Sequence, residues 1–178
     1  IIGPFSLQSG ITKDLEIIVY DVSLRVPGNP ILATTSPYTK YQYGETFGIG
    51  RRIAMEIKRA YEEGTVLSGL SAGGICWFDS GHSDSMQIYG KENWEYINVR
   101  GLGLIKGIHC PHFDSDTNGI SRKKDFTNFM KKRSKMGIGI DEKCAIEFVN
   151  DGYRVISTNN DSKAYKVFRL NGEIKIEE

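Results

Sequence analysis

Thr65-Val-Leu-Ser-Gly-Leu-Ser-Ala-Gly-Gly-Ile-Cys-Trp-Phe78 is the stretch that decides the fold. Its first six residues, a short apolar run, read as a buried strand. The Ala/Gly/Ile/Cys/Trp/Phe run from Ala72 reads as a helix begun after one sharp turn. Upstream, Ile53, Ile57, Ala60 and Tyr61 recur at helical spacing, with Arg52, Lys58, Arg59 and Glu62 on the other side and Gly64 placed to end the helix. The local order is therefore helix, strand, helix. Downstream, Leu102–Ile108 reads as a second strand, followed by a polar loop and a surface helix carrying Phe126, Phe129 and Met130 among lysines. From Gly137 the period changes to two, through Ile138 and Ile140, Cys144–Val149, Tyr153–Thr158, Ala164–Leu170 and Glu173–Ile176. Asn150-Asp151-Gly152 and Asn171-Gly172 supply hairpin turns. The pattern predicts a mixed α/β sheet in three layers, with helices on both faces and a C-terminal β-hairpin region. Before Arg51, Leu15–Leu24 fits a helix or a strand by pattern and is assigned to a helix.

Length and charge narrow the function. At 178 residues the chain is expected to form one domain over 1–178. Its 23 Lys and Arg against 22 Asp and Glu leave a formal charge of +1, which lacks the basic excess that phosphate binding needs. Nucleic acid and membrane are thus not expected partners. The uncharged run from Thr65 to Phe78 falls well short of the roughly 20 residues that cross a bilayer. No leader pattern stands at the amino end, and a cytoplasmic location is expected. Cys76, Cys110 and Cys144 are odd in number and lack paired spacing, so reduced thiols are expected, with no metal site and no cofactor.

Gly69-Leu-Ser-Ala-Gly73 matches the G-x-S-x-G elbow, in which glycines let a strand turn sharply into a helix while the serine stands exposed. A serine hydroxyl needs a base to become a useful nucleophile. Of the three histidines, His112 lies in Cys110-Pro-His-Phe113, a proline-fixed loop just beyond a strand. His109 is expected to pack or hydrogen-bond in that strand's last turn, and His82 to be a solvated loop residue. The loop after the elbow offers Asp79 and Asp84 as the group that orients the base. The order Ser71, Asp84, His112 is that of α/β-hydrolases, but the intervals leave too little chain for the strands and helices of that fold. Another serine-hydrolase scaffold is required.

The run Gly69–Phe78, the Gly-His-Ser-Asp-Ser85 loop, Gly101-Leu-Gly-Leu104 leading into Cys110-Pro-His-Phe113, and Gly139-Ile-Asp-Glu142 before Ala145-Ile-Glu-Phe148 together resemble the peptidase E family. These are S51 serine peptidases, the aspartyl dipeptidases, on a flavodoxin-like scaffold related to class I glutamine amidotransferases. The resemblance runs from about Arg51 to the end. It implies Ser71 as nucleophile, His112 as base, Asp84 as acid ahead of Asp79, the Ala72 amide in the oxyanion hole, and a small peptide as substrate. It also implies a cation for an acidic substrate side chain, for which Arg100 and Lys106 are candidates. The family's Gly-Gly-Gly-Asn-Thr loop, the expected source of the second oxyanion donor, has no counterpart ahead of the elbow. Phe5–Pro37 is similar to the family's first strand, helix and second strand, which implies a middle segment missing before Arg51, with a backbone break between about Phe47 and Arg52. A non-catalytic binding or interaction member of the scaffold is the alternative.

Overall fold

The structure, a computed structural model, describes residues 6–11, 14, 17–23, 40–41, 43–89, 94–117 and 119–178. Where one domain over 1–178 was expected, its contacts divide the chain into two compact units, Ile1–Leu67 and Ser68–Glu178.

In the first unit, β1 (Ser6–Ile11) and β2 (Ile17–Ser23) pair antiparallel, with a bulge between Gln8 and Ser9. This corrects the helix assigned to Leu15–Leu24; positions 15, 16 and 24 lie outside the described residues. The Ile17-Ile-Val-Tyr run is β-branched and aromatic, and an extended partner supplies its backbone hydrogen bonds. The amphipathic helix forms as α1 (Ile49–Glu62). It ends where Gly64 adopts φ +80°, with the Thr65 N–H donating to Ala60 O. In the first turn of this helix the Arg52 N–H donates to Gly48 O at 3.2 Å.

The second unit opens with the short helix α2 (Ala72–Ile75) and is built on a six-stranded sheet. Its strands are β3 (Phe78–Ser83), β4 (Ile97–Arg100), β5 (Ile105–Pro111), β8 (Gly137–Ile140), β11 (Ala164–Leu170) and β12 (Glu173–Glu177), in the order β12-β11-β8-β5-β3-β4. The three central strands β3, β5 and β8 run parallel, and antiparallel strands flank them on both sides. Two short strands, β6 (Asp116–Thr117) and β7 (Ile120–Ser121), precede helix α3 (Arg122–Met130), which crosses from β5 to β8. The hairpin β9 (Cys144–Val149) and β10 (Gly152–Ser157) turns at Asn150, whose φ is +53°. The hairpin of β11 and β12 turns at Asn171-Gly172, both at positive φ, as the type I′ geometry requires.

Successive residues of β5 face opposite ways, and this alternation defines the layers. Ile108 and Cys110 join Phe113, Phe126, Met130 and Val167 in the core beneath α3. His109 faces α2, so close that a Cβ on Gly74 would lie 3.2 Å from its Nε2. The fold is thus the expected α/β class, with α2 and α3 on opposite faces. Two local readings are corrected. Thr65–Leu70 is irregular, with Val66 92% and Leu70 86% exposed. The helix after the elbow stops at Ile75, and Phe78–Ser83 is a strand because its small residues pair with both β4 and β5.

Candidate active site

Ser71 sits at φ +53°, ψ −116°, a backbone conformation that non-glycine residues avoid. Bonds from Gly73 N–H to Leu70 O and from Gly74 N–H to Ser71 O, each 2.9 Å, hold the turn. The expected oxyanion donor, the Ala72 N–H, has no backbone acceptor among the described residues. Gly69 is required at the turn, because a Cβ there would lie 2.2 Å from Gly73 O.

Strand β5 ends at Pro111, and the next residue, His112, turns at φ +51°. Its Nε2 lies 2.9 Å from Ser71 Oγ, and its Nδ1 lies 3.5 Å from Glu142 Oε1, just beyond the end of β8. A carboxylate at Nδ1 favours the tautomer protonated there, which leaves Nε2 to accept the serine proton. The parallel strands β5 and β8 are neighbours, so His112 and Glu142 emerge side by side at their carboxyl ends.

Asp84 does not orient the imidazole. It pairs with Arg122 at 2.8 Å, and the side chains are 39% and 2% exposed, respectively. Arg122 opens α3 and also stacks over the Tyr96 ring, 4.9 Å from its centroid. A guanidinium taken out of water demands a carboxylate, and Asp84 supplies it. Asp79 is likewise engaged elsewhere. Lys135 at 2.9 Å, followed by the Gly107 N–H at 3.2 Å, holds its carboxyl below the usual range.

The other histidines are structural. His82 is buried rather than solvated, stacks on Tyr96, and donates from Nε2 to Asp125 at 2.7 Å. Burial lowers its pKa despite that carboxylate. His109 packs as expected, stacked on Phe78 with its Nδ1–H donating to Ile138 O at 3.1 Å, and burial lowers its pKa to about 4. Lys106 stands at the start of β5, about 17 Å of extended chain from the strand's carboxyl end, and pairs with Asp79. Arg100 faces Ser80 across the β3–β4 pair rather than the strand end. Neither cation is at the site.

Glu142 beside His112 and the buried Arg122 beside Asp84 are placements that the sequence reading missed. Glu142 stood within a quoted motif, and its signal was position: two residues past a strand that neighbours the histidine's strand. Among the described residues no three His, Cys, Asp or Glu side chains form a metal-binding group, and no helix is long and apolar enough to cross a membrane.

Two family models match the chain, Peptidase family S51 over residues 50–156 and a domain of unknown function (DUF1297) over residues 1–68. The second match corrects the reading of Phe5–Pro37 as the first strand, helix and second strand of the S51 scaffold. The uncharacterized peptidase YgaJ of Bacillus subtilis (strain 168) is 29% identical over 120 residues, covering 66% of this chain and 48% of the relative. The G2/mitotic-specific cyclin-1 of Trypanosoma brucei brucei is 27% identical over 173 residues, 82% of this chain and 49% of the relative. A 5-formaminoimidazole-4-carboxamide-1-(beta)-D-ribofuranosyl 5'-monophosphate synthetase of Pyrococcus horikoshii is 48% identical over 63 residues, 35% of this chain and 19% of the relative. The chain spans about half the length of these curated relatives or less.

Proposed function

Because this chain belongs to peptidase family S51, we propose that its second unit is a serine-type peptidase acting on short peptides, with dipeptides carrying an amino-terminal aspartate as the preferred class. The observation that carries the reading is the 2.9 Å approach of His112 Nε2 to Ser71 Oγ at a strained elbow. Ser71 attacks the peptide carbonyl while His112 takes its proton. The Ala72 N–H stabilises the oxyanion, and His112 returns the proton to the leaving amine. Water then hydrolyses the acyl-enzyme by the same route. Glu142 holds the imidazole tautomer, the role first assigned to Asp84. A cytoplasmic location with reduced Cys76, Cys110 and Cys144 belongs to the same proposal.

A second reading, a non-catalytic binding member of the scaffold, is favoured by the start of the family match at residue 50. The loop expected to supply the second oxyanion donor is not among the matched residues, and loss of one such donor costs about a hundred- to a thousand-fold in rate. Turnover of Asp-containing dipeptides by the parent protein and by Ser71→Ala separates the two. Hydrolysis that Ser71→Ala abolishes supports the peptidase. Peptide binding without hydrolysis in the parent supports the binding module.

A further inference from the structure

Beyond the pairing of β5 with β8, the two loops that carry His112 and Glu142 are joined by two more hydrogen bonds. The Phe113 N–H donates to Ile140 O at 3.0 Å, and the Glu142 N–H donates to the Asp114 carboxylate, at Oδ1, at 2.9 Å. The second bond has a particular consequence. The Glu142 side chain is 58% exposed, and among the described residues its carboxylate has no partner other than His112. Nothing grips the carboxylate from outside, so its place beside Nδ1 depends on where the backbone puts it. That backbone is held on one side by Asp141, whose N–H donates to Lys163 O and whose Oδ2 accepts from the Lys163 N–H, both at 3.0 Å. On the other side it is held by Asp114. Near the two ends of the link, His112 and Lys143 adopt φ +51° and +63°, conformations that persist only where the surroundings hold them.

We propose that Asp114 is a positioning residue for the Ser71–His112–Glu142 set. Its carboxylate oxygen fixes the Glu142 backbone by a hydrogen bond, and thereby the distance from Glu142 to the imidazole. The proposal rests on the assignment of that set as a hydrolytic triad. It requires an acceptor at Asp114 and does not require its charge. Asparagine can accept the same bond, whereas alanine cannot.

The test compares Asp114→Asn and Asp114→Ala with the parent protein. Asp114 is exposed, so both variants should unfold at the parent's temperature. Asp114→Ala should lower kcat about ten- to a hundred-fold with KM little changed, because a misplacement of roughly 1 Å in supporting groups costs about a hundred-fold. Asp114→Asn should stay within about threefold of the parent. A second readout needs no turnover: the low-field proton resonance of His112 Nδ1–H, identified by its loss in His112→Gln. It should be present in the parent and in Asp114→Asn and lost in Asp114→Ala. An alanine variant that keeps both kcat and the resonance overturns the proposal. So does an asparagine variant that fails like alanine, which would point to charge, or a parent protein without the resonance. If the parent hydrolyses nothing, the triad reading fails, and the resonance alone decides the link between Asp114 and Glu142.

Discussion

Replacing Gly69 by alanine should displace the elbow, whereas the same change at Gly73 should not, although both are the defining glycines of one motif. A Cβ at Gly69 would stand 2.2 Å from Gly73 O, 2.3 Å from Gly73 C and 2.8 Å from Gly74 N. The closest of these is more than about 1 Å inside van der Waals contact. All three atoms are backbone, so no rotamer change relieves the clash, and Leu70 and α2 must separate by about 1 Å. Ser71 lies between them, and its 2.9 Å contact with His112 would open towards 4 Å, which is no longer a hydrogen bond. A shift of that size costs about a hundred-fold in turnover, and overpacking of this kind costs about 1–3 kcal/mol of stability. A Cβ at Gly73 would meet nothing within 4 Å, and its φ is not positive. Alanine there should be neutral or stabilise the helix by up to about 1 kcal/mol. The assay is thermal unfolding by circular dichroism together with dipeptide turnover, for both variants beside the parent. A Gly69→Ala protein with the parent's melting temperature and activity would refute the steric argument.

Glu142→Gln should lower turnover by about a hundredfold or more at unchanged melting temperature, since it disturbs the imidazole tautomer at an exposed position. Asp84→Asn should do the reverse and lower the melting temperature, because it strips the carboxylate from a buried guanidinium. The cost should be roughly 1–3 kcal/mol, below that of a fully buried pair because Asp84 is itself 39% exposed. Acidification from about pH 6.5 to 4 should destabilise the second unit by up to about 1.4 kcal/mol per pH unit through His109. Its folded pKa near 4 lies below the unfolded value of about 6.5, so the unfolded chain binds the proton first and stability is lost as pH falls through that window. His82, also lowered by burial, acts in the same direction, and Asp141, raised by burial, acts against it. Urea midpoints measured across that range should flatten in His109→Gln. With a thiol reagent, Cys76 should react in the folded protein and Cys110 should not, because Cys110 is fully buried and burial pushes its thiol pKa up. Cysteine-specific mass mapping checks the order.

Periodicity alone determined the carboxyl-terminal strands, the two amphipathic helices and the asparagine turns, since each depends on neighbours a few residues apart along the chain. The elbow serine and the proline-flanked histidine were legible for the same reason, as local motifs whose backbone demands are written in glycine and proline. Tertiary structure decided the rest. The pattern of Leu15–Leu24 fitted a helix as well as a strand, and only the pairing of Ile17–Ser23 with β1 decided between them; His82 looked solvated until α3 and Tyr96 covered it. Asp84 and Glu142 are both carboxylates near motif residues, and only the fold separates them. Arg122 buries its guanidinium against Asp84, and the parallel neighbours β5 and β8 bring Glu142 to His112 across 30 positions of sequence. An ion pair or a hydrogen bond depends on distance in space, and sequence spacing carries that distance only within a single helix, strand or turn.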